Sequence, residues 1–377
     1  MNPQARAPAA PAPSGAARLD AVDWLRGLAV VLMIQTHLYD AWLSPVVKAS
    51  DTWMWVRFWG GIPARLFLLL VGVSMAIGFE KQIAKNVDRA TICKSTIKRG
   101  FQILVLAYLF RLQEYLLGGW GDNWRDLYRV DVLNCIAASM IVIPYIVAPR
   151  NGRPQILVAL LAAMVFLGLG PIIGPAHFPD WLPKPLTSYI GGQRPTAWFP
   201  LFPWAAWPLV GVALGHIWMR NSQDRRRQAI TFVATGIAGA LMTGAVTLIR
   251  AIDPYVIRYP SELVQQMGPG SFFYRLGLIG IFALVAYLVT RATGPRFSVM
   301  RQFGRTSLLV YWIHVDLCYG LLSKRLGLQG HLGFAWATVS LGGMVALMLG
   351  VSLLKTKLAQ SWRRRDGSGQ TRPVVAA

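Results

Sequence analysis

Acidic residues are scarce in this sequence, 16 against 38 lysines and arginines, and charged residues of both signs make up only 14% of the chain. A soluble domain carries about 25%. The deficit excludes a water-soluble globular protein, because most of the chain has no water to face. Cysteine is nearly absent as well. Cys93, Cys135 and Cys318 form no CxxC and no metal-type spacing, so no metal site is expected and a disulfide framework is disfavoured. No GxxxxGK[ST] occurs and no glycine-containing segment follows a strand-like run, which removes the nucleotide-binding loops. Residues 1–17 are Ala/Pro-rich and are expected to be disordered. They hold no short apolar region with a cleavage site, so no cleaved signal peptide is expected.

What the chain has is apolar length. Hydrophobic residues make up 54%, in repeated runs of roughly 18–22 residues, enough to cross a hydrocarbon core. The runs predict ten spans, at 22–43, 62–79, 97–117, 131–148, 154–174, 199–219, 229–250, 271–292, 304–322 and 333–356. Many of the 15 tryptophans stand at their ends, as in an interfacial belt. The expected fold is therefore an all-α integral membrane protein of about ten transmembrane helices. It divides into a tail at 1–17, one helical domain at 18–358 and a basic tail at 359–377.

The net charge of +22 would suggest nucleic acid in a soluble protein. Here the charges sit in short loops, where they set topology and meet anionic headgroups, and no charged face remains for a nucleic acid. With both termini in the cytoplasm, the inner segments hold 23 of the basic residues and the outer segments 9, as the positive-inside rule asks. The expected location is a bacterial cytoplasmic (inner) membrane. Several outer connections are longer than the inner ones, a weak pointer to an extracytoplasmic substrate.

The first span carries four ionisable groups, Asp23, Arg26, His37 and Asp40. Charges inside spans are costly and mark function. At about 100° per residue, and with Arg26 as zero, Asp23 falls near +60°, His37 near +20° and Asp40 near −40°. All four share one stripe, and His37 stands about 16 Å beyond Arg26 along the axis. The structural alternative is an arginine that snorkels to headgroups and a histidine that bonds a neighbouring helix. An Arg and a His on one face, each one turn from an Asp, favour function over that alternative. An imidazole with a carboxylate at i+3 suits a general base held in one tautomer.

Arg26–x10–His37, within LRGLAVVLMIQTH, resembles the first-helix signature of the membrane acyltransferase superfamily. That superfamily includes the acyltransferase 3 proteins and bacterial relatives of heparan-α-glucosaminide N-acetyltransferase. ARLFLLLVGVSMAIG (64–78), RVDVLNCIAAS (129–139), LFPWAAWPLVGVALG (201–215) and FGRTSLLVYWIH (303–314) are similar to later helices of the heparan-enzyme branch. The resemblance implies that cytosolic acyl-CoA, acetyl-CoA first among the candidates, donates an acyl group to a hydroxyl or amine of an extracytoplasmic acceptor such as a glycan. His37 would deprotonate the acceptor or carry the acyl group itself.

Further candidates lie elsewhere. In the ninth span Ser307, Tyr311, His314 and Cys318 share a helical face, and His314 is a candidate to support the site from across the bundle; a plain packing face is the alternative. Arg305, with Arg26 and Asp23, is a candidate contact for CoA, and a headgroup contact is the alternative. Arg65, Arg111, Glu114, Arg129, Asp131, Asn134 and Arg275 fall near the outer ends of spans. They are expected to form an ion-paired network, structural or serving the acceptor. Gly72, Ser74, Gly211 and Gly215 are expected to permit close helix packing. The expected partners are membrane lipids, acyl-CoA and a glycan or other small acceptor, with a homodimer left open. A transporter or flippase that uses the same stripe as a proton relay is the competing function class, disfavoured because no inverted repeat is visible.

Overall fold

The computed structural model describes residues 19–117, 124–147, 153–174, 176, 178–179, 181–191, 196–252 and 268–365. The stretch 1–17, Arg150, His177 and the tail beyond 365 lie outside the described residues. Among the described residues every regular element is a helix. These are α1 (Asp20–Trp42), α2 (Pro45–Lys48), α3 (Asp51–Gly60), α4 (Pro63–Ile83), α5 (Arg89–Leu117), α6 (Val132–Val147), α7 (Arg153–Ile173) and α8 (Lys184–Ile190). They continue as α9 (Leu201–Trp204), α10 (Ala206–Arg220), α11 (Arg225–Ile252), α12 (Pro269–Thr293), α13 (Val299–Arg305), α14 (Ser307–Tyr319), α15 (Leu321–Arg325) and α16 (Phe334–Arg365).

Each of the ten apolar runs coincides with helix. Six helical stretches are long and apolar enough to cross a membrane: Asp51–Ile83, Gln155–Ile173, Leu201–Arg220, Arg225–Ile252, Pro269–Thr293 and Phe334–Trp362. The others differ for local reasons. α1 carries Asp20, Asp23, Arg26 and Asp40, α5 begins on a basic segment, and α6 is an apolar helix of 16 residues.

The run at 304–322, expected as one span, is three helices. Thr306 leaves helical geometry (φ −122°, ψ 17°), and Gly320 is extended (φ −73°, ψ −175°). The Thr306 hydroxyl is engaged by the Gln302 carbonyl at 3.1 Å and by Ser352 Oγ at 2.6 Å, so the break is held by hydrogen bonds. The run at 199–219 is likewise broken between α9 and α10, and the 44–61 connection, expected as a loop, contains α2 and α3. The expected boundary at 358 falls inside α16. Between α4 and α5, Asp88 accepts the Thr91 amide at 2.9 Å, and the Thr91 hydroxyl and amide hold its carboxyl below the usual carboxylate range.

Lipid provides no hydrophobic force between helices, so close backbone approach matters most. At Gly72 an added Cβ would lie 1.9 Å from the Pro208 carbonyl oxygen, and at Gly211 2.0 Å from that of Leu69. α4 and α10 therefore touch backbone to backbone. The same contact recurs between α1 and α13, where a Cβ on Gly27 would meet the Met300 oxygen at 1.9 Å and one on Gly304 the Asp23 oxygen at 2.0 Å. α1 stands at the centre, packed on α3, α4, α12, α13, α14 and α16. Leu25, Ala29 and Met33 enter one apolar cluster, while Val30, Ile34 and Leu38 enter a second. The polar stripe of α1 is thus enclosed by protein along much of its length.

Candidate functional site

The stripe has two ends. At the Asp20 end of α1, Arg26 Nη1 lies 3.4 Å from Asp23 Oδ1, and Arg305 Nε lies 3.8 Å from the other carboxylate oxygen. Asp23 is buried and sits between two guanidiniums carried by α1 and α13. The Gly27 and Gly304 contacts are what bring Arg305 so near. Arg26 also donates to the hydroxyl of Ser74 on α4. Beside this group Arg301 pairs with Asp20 at 3.3 Å. The arginines are only partly covered, with the Arg26 side chain 25% and the Arg305 side chain 48% exposed, so an anion can reach them.

At the other end His37 meets His314. Their nitrogens Nδ1 and Nε2 are 2.9 Å apart, the ring centroids are 5.1 Å apart, and the planes differ by 14°. His314 is fully buried, and its Nδ1 donates to the Val310 carbonyl at 2.6 Å. Tyr311 and Tyr319 stand edge-on to the His37 ring, at 6.5 and 5.8 Å between centroids. His37 is half-buried. Among the described residues its Nε2 has no hydrogen-bond partner.

Asp40 does not hold the His37 imidazole, contrary to the i+3 expectation. It is exposed, its Oδ2 accepts the Tyr319 hydroxyl at 2.7 Å, and its backbone carbonyl accepts Lys48 Nζ. The helix turns Asp40 out of the bundle just where α1 ends, and a histidine from another helix takes the position the carboxylate was expected to fill.

The network expected near the outer ends of the spans is two clusters. In the first, Arg111 on α5 pairs with Glu114 at 2.5 Å and with Asp131, and Asp131 begins the turn into α6. Asn134 donates to Tyr189, which bonds Tyr108, each at 2.9 Å. Arg129 stacks over Trp198. In the second, Arg65 on α4 and Arg275 on α12 both border Gly61. Arg65 is 5% exposed, bonds the Gly61 carbonyl and lies over Trp204, and Arg275 bonds Ser271. Gln113 links α5 to α14 by bonding Asp316 and accepting Trp312 Nε1 at 2.8 Å.

The sequence did not point to Ser74, Tyr319 or Gln113 as site neighbours. Ser74 and Gln113 are ordinary polar residues on apolar helices, and Tyr319 carries no spacing signal that ties it to α1. His216, in the last turns of α10, has a carboxylate partner, Glu80 Oε1, at 2.6 Å. His331 is an exposed loop residue. Among the described residues no group of three or more His, Cys, Asp or Glu is placed to hold a metal ion.

An imidazole pair at one end of a helix and accessible cations at the other suit a long molecule that is anionic at one end. The model of the heparan-alpha-glucosaminide N-acetyltransferase catalytic family matches residues 18–253, more than half of the chain. The chain belongs to that family. The match runs from the start of α1 to the end of α11 and takes in Asp23, Arg26, His37, Asp40, Arg65 and the Arg111 cluster, while Arg275, Arg305 and His314 follow it. Membership and the six spanning helices indicate a multi-pass membrane acetyltransferase. No curated protein matches the chain.

Proposed function

We propose that the protein transfers an acyl group, acetyl in the first instance, from cytosolic acyl-CoA to a hydroxyl or amine of an extracytoplasmic glycan. It would do so as a ten-span protein of a bacterial inner membrane, with both termini in the cytoplasm and one catalytic domain over 18–358. The observation that carries the reading is the two-ended stripe on α1, with Arg26, Asp23 and Arg305 at one end and His37 against His314 at the other.

Arg26 and Arg305 meet the phosphates of CoA, and Asp23 keeps the two guanidiniums together. The pantetheine arm follows the stripe, over the distance of about 16 Å that separates Arg26 from His37 along an ideal helix. The thioester carbonyl then reaches the imidazole. His37 takes the proton from the acceptor oxygen or nitrogen as that atom bonds the carbonyl carbon. The C–S bond breaks, and the proton passes to the departing thiolate, so no charge is left in the bundle. The Arg111 and Arg65 clusters support the acceptor from the outer side. The long polar path needs no movement of acetyl-CoA across the bilayer.

The test is turnover by purified protein in nanodiscs, with labelled acetyl-CoA and a panel of amino and neutral sugars. Release of CoA thiol that depends on both a sugar and His37 supports the reading. Thiol release at the same rate without any sugar, or by the His37→Ala protein, refutes it.

A further inference from the structure

The hydrogen bonds of the two histidines fix where the protons are. The Val310 carbonyl can only accept, so His314 Nδ1 must carry hydrogen across the 2.6 Å contact. A neutral imidazole has one N–H, which leaves a lone pair on His314 Nε2. The only partner across that 2.9 Å contact is His37 Nδ1, which must then be the donor. His37 in turn has its lone pair on Nε2. A charged His314 would reverse the bond, but it would be a fully buried cation with no carboxylate hydrogen-bonded to it. The one carboxylate of the stripe at this end, Asp40, is bonded to Tyr319 instead.

We infer that His314 is a positioning residue that holds His37 with hydrogen on Nδ1, so that Nε2 is the atom that takes the acceptor's proton; the inference rests on the general-base reading of His37. The ring planes are near parallel with centroids 5.1 Å apart. With nitrogens at 2.9 Å, that geometry is edge to edge, the arrangement a ring-to-ring hydrogen bond requires. Tyr311 and Tyr319 stand edge-on at 65° and 62° and limit rotation of the His37 ring. His314 thus has the orienting role that a carboxylate has in a Ser-His-Asp triad, but without a charge. A neutral acceptor fixes the tautomer and adds little to the imidazole's basicity. The arrangement therefore needs no counter-ion in the membrane interior while the acyl donor is absent.

The deciding readout is the histidine tautomer, with kinetics beside it. The chain has five histidines, so 15N-histidine spectra of the full protein in nanodiscs are assignable by single substitution. In the wild type, His37 is expected to show a protonated Nδ1 and a bare Nε2. His314→Leu should turn this into a mixture of tautomers and lower kcat about 10²-fold, with the KM for acetyl-CoA within about twofold. His314→Gln places an amide near the lost acceptor and should recover at least about tenfold of that loss. A wild-type His37 with hydrogen on Nε2 overturns the inference, and so does a single unchanged tautomer in His314→Leu. Should His314→Leu fail to fold, the wild-type spectrum alone decides. The expected tautomer together with a fully active His37→Ala protein would instead sink the general-base reading and leave the hydrogen-bond assignment standing.

Discussion

His37 and His314 bond at 2.9 Å although 277 positions separate them in the chain. The contact joins α1, the helix that carries Asp23, Arg26 and Asp40, to α14, a short helix freed from its neighbours by breaks at Thr306 and Gly320. General-base catalysis contributes about 10²–10⁴-fold, so His37→Ala is expected to lose roughly that much turnover. The fold should survive, because the change removes a polar group from a membrane interior and leaves a small cavity. Turnover and melting temperature, measured on the same preparation, check both halves. Near-normal turnover would end the mechanism.

The Arg26–Asp23–Arg305 group makes a separate claim on the donor. A hydrogen bond to a charged group is worth about 1.5–3 kcal/mol, which is roughly 10- to 150-fold in affinity. Arg26→Ala should weaken CoA binding by at least the lower figure and change acceptor KM little. Calorimetric titration with CoA reads the first effect and steady-state kinetics the second. Unchanged CoA affinity would remove Arg26 from the donor site.

Helix positions and the placing of Arg26 and His37 on one helix, towards its two ends, were legible because hydrophobic length and helical angle are local properties of the chain. What was not legible depends on partners from far away. Spacing on one helix offered Asp40 as the partner of His37, and it could not offer His314. It also merged the outer residues into one network, because Arg65 and Arg111 share a depth while their helices, α4 and α5, turn them to different neighbours. The breaks at Thr306 and Gly320 were hidden because the surrounding residues are uniformly apolar, and what holds the first of them is a hydroxyl bond to Ser352 on α16.

The backbone contacts of glycine give a prediction about assembly of the donor site. At Gly304 a methyl group would fall 2.0 Å from the Asp23 carbonyl oxygen, whereas at Gly78 nothing lies within 4 Å. Gly304→Ala must push α13 off α1, and with it Arg305 away from Asp23. Overpacking of this kind costs about 1–3 kcal/mol, so a lower melting temperature and a raised KM for acetyl-CoA are expected together. Gly78→Ala should leave both at the wild-type level, or slightly raise stability, because alanine is the better helix former by about 1 kcal/mol. Equal behaviour of the two variants would show that the α1–α13 contact does not control the site.

Topology can be tested without any substrate. The segments 80–96 and 220–228 carry basic clusters, with Lys81, Lys85, Arg89 and Lys94 in the first and Arg220, Arg225, Arg226 and Arg227 in the second. Charge bias places such clusters on the cytoplasmic side, and the connection 175–198 then falls outside. The native thiols suit the experiment, since Cys135 and Cys318 are buried and only Cys93 is partly accessible. In a Cys93→Ser background, single cysteines at Lys85 and at Arg226 should resist an impermeant maleimide added to intact cells and react after lysis. A cysteine at Trp181, which is 79% exposed, should react in intact cells. Labelling of the Lys85 position from outside would invert the bundle. It would put the Arg26–Arg305 end of the stripe on the side that has no acyl-CoA, and the proposed direction of transfer would be lost with it.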